Sequence, residues 1–118
     1  MKRRLRSFGF AFRGLVLLFS GQPNAWIHLF AAVGVIAAGI ALDITATEWL
    51  LVVFAIGFVF TAELFNSAIE ELVNIVSPDR NSAAGKIKDL AAGGVLLAAI
   101  TAAVIGSIIF IPKILSLF

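Results

Sequence analysis

The chain has 118 residues, 61% of them hydrophobic and 14% charged, with no cysteine and a net charge of only +2. A soluble domain of this length leaves much of its surface in water and needs more polar residues to cover it, so the excess apolar surface must face lipid. Disulfides are excluded, and the placement of the few charges matters more than their sum.

The first segment, about residues 3–20, carries Leu5, Phe8, Phe12, Leu15, Val16 and Phe19 at helical spacing, with Arg6 and Arg13 among them. This pattern predicts an amphipathic helix lying in the membrane interface. The basic start Lys2-Arg3-Arg4-Leu5-Arg6 has the charge of a signal-peptide n-region, but Arg13 interrupts what would be its apolar core. Gly21-Gln22-Pro23-Asn24 then breaks the helix. A first membrane span is predicted at about 26–42. It holds the sole histidine, His28, which reads as an interfacial or packing residue, since no second His or Cys accompanies it as a metal ligand.

After the turn at 43–47, Thr45 and Glu48 have the spacing of a capping box for the next helix. That helix is expected over about 48–76, with a second span at about 48–70. A cytoplasmic loop follows at about 76–86, and a last helix opens near Ala83 to form a third span at about 89–111, ahead of Pro112 and Lys113. The whole is a single all-α membrane domain: a surface helix and three spans. Of the nine Lys and Arg residues, five precede the first span and three (Arg80, Lys86, Lys88) lie between the second and third, leaving Lys113 alone on the other side. By the positive-inside rule the N-terminus is cytoplasmic and the C-terminus outside. Small residues, Gly34, Gly39 and Ala91 to Gly94, would let helices approach closely. Three thin helices do not wall a polar pocket off from lipid, so a homo-oligomer is expected.

The chemistry concentrates in Glu63-Leu-Phe-Asn66-Ser67-Ala-Ile-Glu70-Glu71. The uncharged run from Trp49 to Ala62 is shorter than the roughly 20 residues a span needs, so the helix must continue past Glu63. One carboxylate therefore lies inside the membrane edge, where ionisable residues usually mark function. Glu63, Asn66, Ser67, Glu70 and Asn74 share an arc of roughly 100°, and Glu63 and Glu70 stand about 10 Å apart along the axis. That is too far to chelate one ion directly. It suits two tasks: a deep base for a substrate in the membrane, and a shallower ligand for a hard cation such as Mg²⁺. Lys86, Lys88 and Asp89 open the last helix on the same side, and could meet phosphate oxygens. Plainer roles compete: Glu63 as a structural partner for a Lys or Asn of a neighbouring helix, Glu70 and Glu71 as a solvated helix end, Lys86 and Lys88 as membrane-flanking cations, Asn66 as interhelical glue.

Glu63-Leu-Phe-Asn66-Ser67-Ala68-Ile69-Glu70, followed by Ala84-Gly85-Lys86-Ile87-Lys88-Asp89, resembles the prokaryotic diacylglycerol kinase family, which includes the undecaprenol kinases. The resemblance extends over essentially the whole chain. It implies a homotrimeric enzyme of the bacterial inner membrane, with sites shared between subunits, that transfers the γ-phosphate of Mg-ATP to a lipid alcohol. Carried over by position, Glu63 would be the general base and would meet the lipid, with Trp26 and Ala92 also on the lipid side. Glu70 and Gln22 would hold the metal. Arg3, Phe10, Asn66, Asp79, Arg80, Asn81, Lys88 and Asp89 would bind the nucleotide. The chain departs from the family pattern in three places: Gln22 stands for a glutamate, Asn74 for an aspartate and Trp26 for an arginine. Each removes charge, which implies a weakened metal site. The start of the first span, Pro23-Asn24-Ala-Trp-Ile27-His28-Leu29, looks more like the undecaprenol kinases, so undecaprenol is the favoured substrate and diacylglycerol the second. The alternative is a degenerate, non-catalytic relative acting as a membrane oligomer or lipid-binding scaffold. A small ion-conducting oligomer ranks last, because Trp49 to Phe60 offers no polar stripe.

Overall fold

The computed structural model describes residues 1–79 and 81–118, which form four helices: α1 (Lys2–Gly21), α2 (Pro23–Ala41), α3 (Ala46–Val76) and α4 (Ser82–Leu115). Each boundary has a local cause. Gln22 is extended, and Pro23 takes the first position of α2, where a missing N–H costs nothing. Asp43 ends α2 with φ 50°, a left-handed backbone that aspartate tolerates better than most residues. Around it, Ile44 N–H donates to the Gly39 carbonyl at 3.2 Å and Asp43 N–H to that of Ile40 at 3.3 Å, which satisfies the last carbonyls of α2. The capping box forms: Glu48 N–H donates to Thr45 Oγ1 at 3.2 Å, and Thr45 N–H to Glu48 Oε1 at 2.9 Å. Asn81 caps α4, its Oδ1 accepting from Ala84 N–H at 2.8 Å.

The last helix outruns its expected end. It passes through Pro112 to Leu115. A proline removes one backbone bond, but Ile109 and Phe110 are buried just before it and Lys113 Nζ lies 3.2 Å from Glu48 Oε1, so side-chain packing holds the final turn against α3.

The helices α2, α3 and α4 are each long and apolar enough to cross a membrane. At about 1.5 Å per residue, α2 is about 28 Å long, close to the hydrocarbon thickness of about 30 Å, whereas α3 and α4, at about 46 and 51 Å, must project beyond it. The closest pairing is between α3 and α4; α2 lies against α3, and α1 touches both α2 and α3. The apolar core gathers at one end of this arrangement, where Ile44, Val52, Ile109 and Phe110 meet Trp49, Leu42 and Ile105. Glu48–Lys113 closes that end, and Lys88 Nζ, donating to Asn74 Oδ1 at 2.7 Å, ties the same two helices at the other. The accessible surface is 8793 Å², against about 6,200 Å² for a compact soluble monomer of this mass. Lipid or further copies of the chain must cover the difference.

Gly39 of α2 packs tightly against Trp49 of α3: a Cβ there would stand 2.7 Å from Trp49 Cη2 and 3.1 Å from Ile44 Cδ1. Gly39→Ala should therefore destabilise the detergent-solubilised protein by about 1–3 kcal/mol, the usual cost of overpacking, read as a lower thermal midpoint. An unchanged midpoint would mean that Trp49 is not seated against α2.

Candidate active site

Counted from Ala46, Glu63 lies about 25 Å along α3 and Glu70 about 36 Å, distances that bracket the roughly 30 Å hydrocarbon thickness of a bilayer. Glu63 is 2% exposed and is the buried charged residue among those described. Its neighbour is not the Lys or Asn that the sequence allowed for. His28 of α2 brings Nε2 to 3.0 Å from Glu63 Oε1. The pair has hydrogen-bond distance without hydrogen-bond alignment, so Oε1 still counts among the buried atoms lacking a hydrogen-bond partner. Asn66 Oδ1 and Ser67 Oγ, one turn further on, are buried and unpartnered as well. Buried polar groups are normally satisfied, and leaving one unpaired costs about 1–3 kcal/mol. Asn66 Oδ1 and Ser67 Oγ, unpartnered one turn beyond the buried Glu63 carboxylate, mark a place suited to meet a ligand.

Below His28 an apolar groove of about 110 Å³ runs between α2, α3 and α4, with Ala32, Ala55, Val59 and Ala102 in its walls. Above the site, a cleft of about 320 Å³ joins Asn74, Asp79, Asn81, Gly85 and Lys88 at the α3–α4 turn. Three of the expected nucleotide residues, Asp79, Asn81 and Lys88, thus meet; Arg80 lies outside the described residues. Asp89 does not join them. It lies one residue round the helix and, with Lys86, Gly93 and Gly94, lines a separate hollow on another side of α4. Arg3 and Phe10 are exposed on α1, and Ala92 is exposed on α4.

Gln22 lines a third cleft, of about 660 Å³ beneath the end of α1, together with Ser67 and Glu71. Within one chain, therefore, Gln22 shares a cleft with Glu71 and Ser67 and not with Glu70, which is half-buried on the same face of α3 as Glu63. No group of three His, Cys, Asp or Glu side chains converges among the described residues. Mg²⁺ does not need one: it takes one or two carboxylates and completes its shell with water and substrate phosphates. The available donors on this face are all hard oxygens, the unpartnered Asn66 Oδ1 and Ser67 Oγ included, and they fit such an ion.

Sequence reasoning missed two contacts. The first is His28–Glu63; the signal for it was a carboxylate that had to be partnered and a lone imidazole on the preceding span. The second involves Trp26. Its indole N–H donates to the Phe19 carbonyl at 2.7 Å, its ring meets that of Phe19 edge-on at 5.4 Å, and Phe19 in turn lies 5.8 Å from Phe60. The end of the surface helix is thereby fastened across α2 to α3, within a turn of Glu63.

The family profile described as prokaryotic diacylglycerol kinase matches residues 9–110. The chain is similar to an undecaprenol kinase of Bacillus subtilis, with 33% identity over 114 residues, which covers 97% of this chain and 93% of the relative. It is 38% identical over 114 residues to a diacylglycerol kinase of Synechocystis sp., covering 96% of this chain and 65% of that protein. A diacylglycerol kinase of Escherichia coli strain K12 is 30% identical over 109 residues, 86% of this chain and 84% of its own length.

Trp26→Phe keeps the ring and removes the N–H. It should weaken the fastening of α1 by about 0.5–1.5 kcal/mol, the net value of one hydrogen bond. Faster hydrogen exchange confined to the 17–26 junction would show this; unchanged protection there would mean that the aromatic packing alone holds α1.

Proposed function

The chain belongs to the prokaryotic diacylglycerol kinase family and is a lipid kinase, and we propose that it transfers the γ-phosphate of ATP to the hydroxyl of a membrane lipid at the cytoplasmic face of the bacterial inner membrane. The observation that carries this reading is the row of unpartnered polar atoms on α3, with the buried Glu63 at its deep end and the Asn74–Lys88 cleft at its shallow end. In the transfer, the lipid oxygen forms a bond to the γ-phosphorus while the bond from that phosphorus to the bridging oxygen breaks. ADP leaves with the electron pair, and Glu63 takes the hydroxyl proton. Phosphoryl transfer asks little covalent chemistry of the protein beyond positioning and charge, which suits a site of so few residues.

Lys88, steadied by Asn74, supplies positive charge to the phosphates, and Asp79, Asn81 and Asn66 offer polar contacts around them. Arg3 and Phe10, exposed on α1, would complete the nucleotide side from the surface helix. Glu70 would hold Mg²⁺, which when bound neutralises charge developing on the phosphates; Gln22, which within one chain shares a cleft with Glu71 and Ser67, would join it from a neighbouring copy. Because Gln22 and Asn74 carry no charge, that ion would be bound less tightly than by a carboxylate set. Asp89, about 100° round α4 from Lys88, lines a different hollow and so would reach a nucleotide held by a neighbouring copy, as in a homotrimer whose sites lie between subunits.

Undecaprenol is the favoured substrate and diacylglycerol the second. The groove below His28, about 110 Å³ and walled by alanines together with Val35, Val52, Ile56 and Phe60, would take one hydrocarbon chain whose hydroxyl end meets Glu63. Trp26 and Ala92 would flank the path from the bilayer. The eight cytoplasm-side Lys and Arg residues support the orientation with the N-terminus inside and the C-terminus outside.

Phosphorylation of undecaprenol and of diacylglycerol by the purified protein in mixed micelles, across a Mg²⁺ titration, tests this reading. Glu63→Gln should lower turnover by about 10²- to 10⁴-fold, the range of general base catalysis. Gln22→Glu should reach half-maximal rate at lower Mg²⁺ than the parent. A folded, oligomeric protein with no turnover on either lipid, as itself or as Gln22→Glu, would instead be the scaffold that the two amide replacements suggest.

A further inference from the structure

We propose that His28 is a positioning residue for the phosphoryl transfer: its imidazole, from a different helix, fixes Glu63 through Oε1 and leaves Oε2 for the lipid hydroxyl. The proposal rests on the reading of Glu63 as the base. Three observations carry it. First, Glu63 is almost fully buried and, among the described residues, no Lys or Arg lies within 4.0 Å of it; the ionic contacts at that range are His28–Glu63 and Lys113–Glu48. A carboxylate away from water needs a donor to offset the lost hydration, and the imidazole is the side chain in place to provide one. Second, His28 also lines the apolar groove. The same ring therefore touches the base and borders the slot proposed for the substrate chain, so it can register the hydroxyl end of that chain against the carboxylate. The groove's α4 wall, Ala102, Ile105 and Gly106, has nothing that could substitute.

Third, the 3.0 Å approach has the length of a hydrogen bond but not its alignment. Catalytic hydrogen bonds are often misaligned before substrate binds and tighten in the complex. The role is distinct from that of Glu63: His28 neither takes the hydroxyl proton nor meets the phosphate, and it acts through the group that does.

The test compares His28→Leu, which keeps the bulk, with His28→Gln, whose side-chain amide can bring an N–H near the place of Nε2. Steady-state kinetics are measured for the full-length oligomer at saturating lipid, beside the parent and Glu63→Gln. His28→Leu should lose about 10- to 100-fold in kcat, the span of one hydrogen bond to a charged group, while KM for Mg-ATP stays within about 2-fold of the parent, since the nucleotide cleft is untouched. His28→Gln should recover most of the lost kcat. If His28→Leu does not fold, His28→Gln against His28→Asn decides the matter: the shorter amide falls short of Oε1 and should be the slower by a similar factor.

Parental kcat in His28→Leu, with Glu63→Gln silent, would overturn the role of His28 and leave the kinase reading standing. Equal loss in the Leu and Gln variants, or in Gln and Asn, would also overturn it by showing that shape and not the N–H matters. A parent silent on every lipid would sink the kinase reading and this proposal with it.

Discussion

A carboxylate held inside the edge of a bilayer is the constraint around which this molecule is arranged. Burying Glu63 is unfavourable unless something partners it, and the side chain that stands at donor distance from it is His28 of another helix, with Asn66 and Ser67 one turn further along its own. This requirement brings α2 alongside α3 at His28. Once α2 is there, the junction between α1 and α2 lies near the same depth, and Trp26 and Phe19 can fasten the surface helix over it. Around this one ionisable group α1, α2 and α3 come together, while the apolar core grips α2 and α3 at the other end.

The two ends of the molecule divide the work of folding from the work of chemistry. Apolar packing is concentrated where Ile44, Val52, Ile109 and Phe110 meet, next to the turn between α2 and α3. The opposite end is assembled from polar side chains, several of them unpaired. A site built of unsatisfied groups is destabilising by itself. It is tolerable here because the helices that carry it are gripped elsewhere, along their apolar lengths and at the far turn.

How far the sequence discloses this depends on the kind of signal. The four helices follow from hydropathy and from the Thr45–Glu48 box; Pro23, read as part of a break, instead opens α2, and Asn81 proves to cap α4, both acting within a few residues. The shared face of Glu63, Asn66, Ser67 and Glu70 is likewise a matter of helical period. What stayed hidden depends on contacts between helices. His28 and Glu63 are far apart in the chain, and no period links them. That Lys88 and Asp89 point about 100° apart is helical period, but which of the two meets Asn74 depends on the rotation of α4 about its own axis. The passage of α4 through Pro112 depends on tertiary packing that overrides a local breaker.

The pins at the two ends of the α3–α4 pair have a mechanical meaning. Glu48 and Asn74 are separated by about 39 Å of helix on α3, and Lys88 and Lys113 by about 38 Å on α4. The two spacings match, so sliding one helix along the other would break both contacts together. The pair is a single strut of set length. A bilayer thicker or thinner than its apolar section is then met by tilting the strut and not by shearing it. Tilt moves Glu63 up or down against the headgroups while leaving the site's internal geometry intact. On the proposed role of Glu63, the depth at which a lipid hydroxyl meets it would follow the thickness of the surrounding membrane.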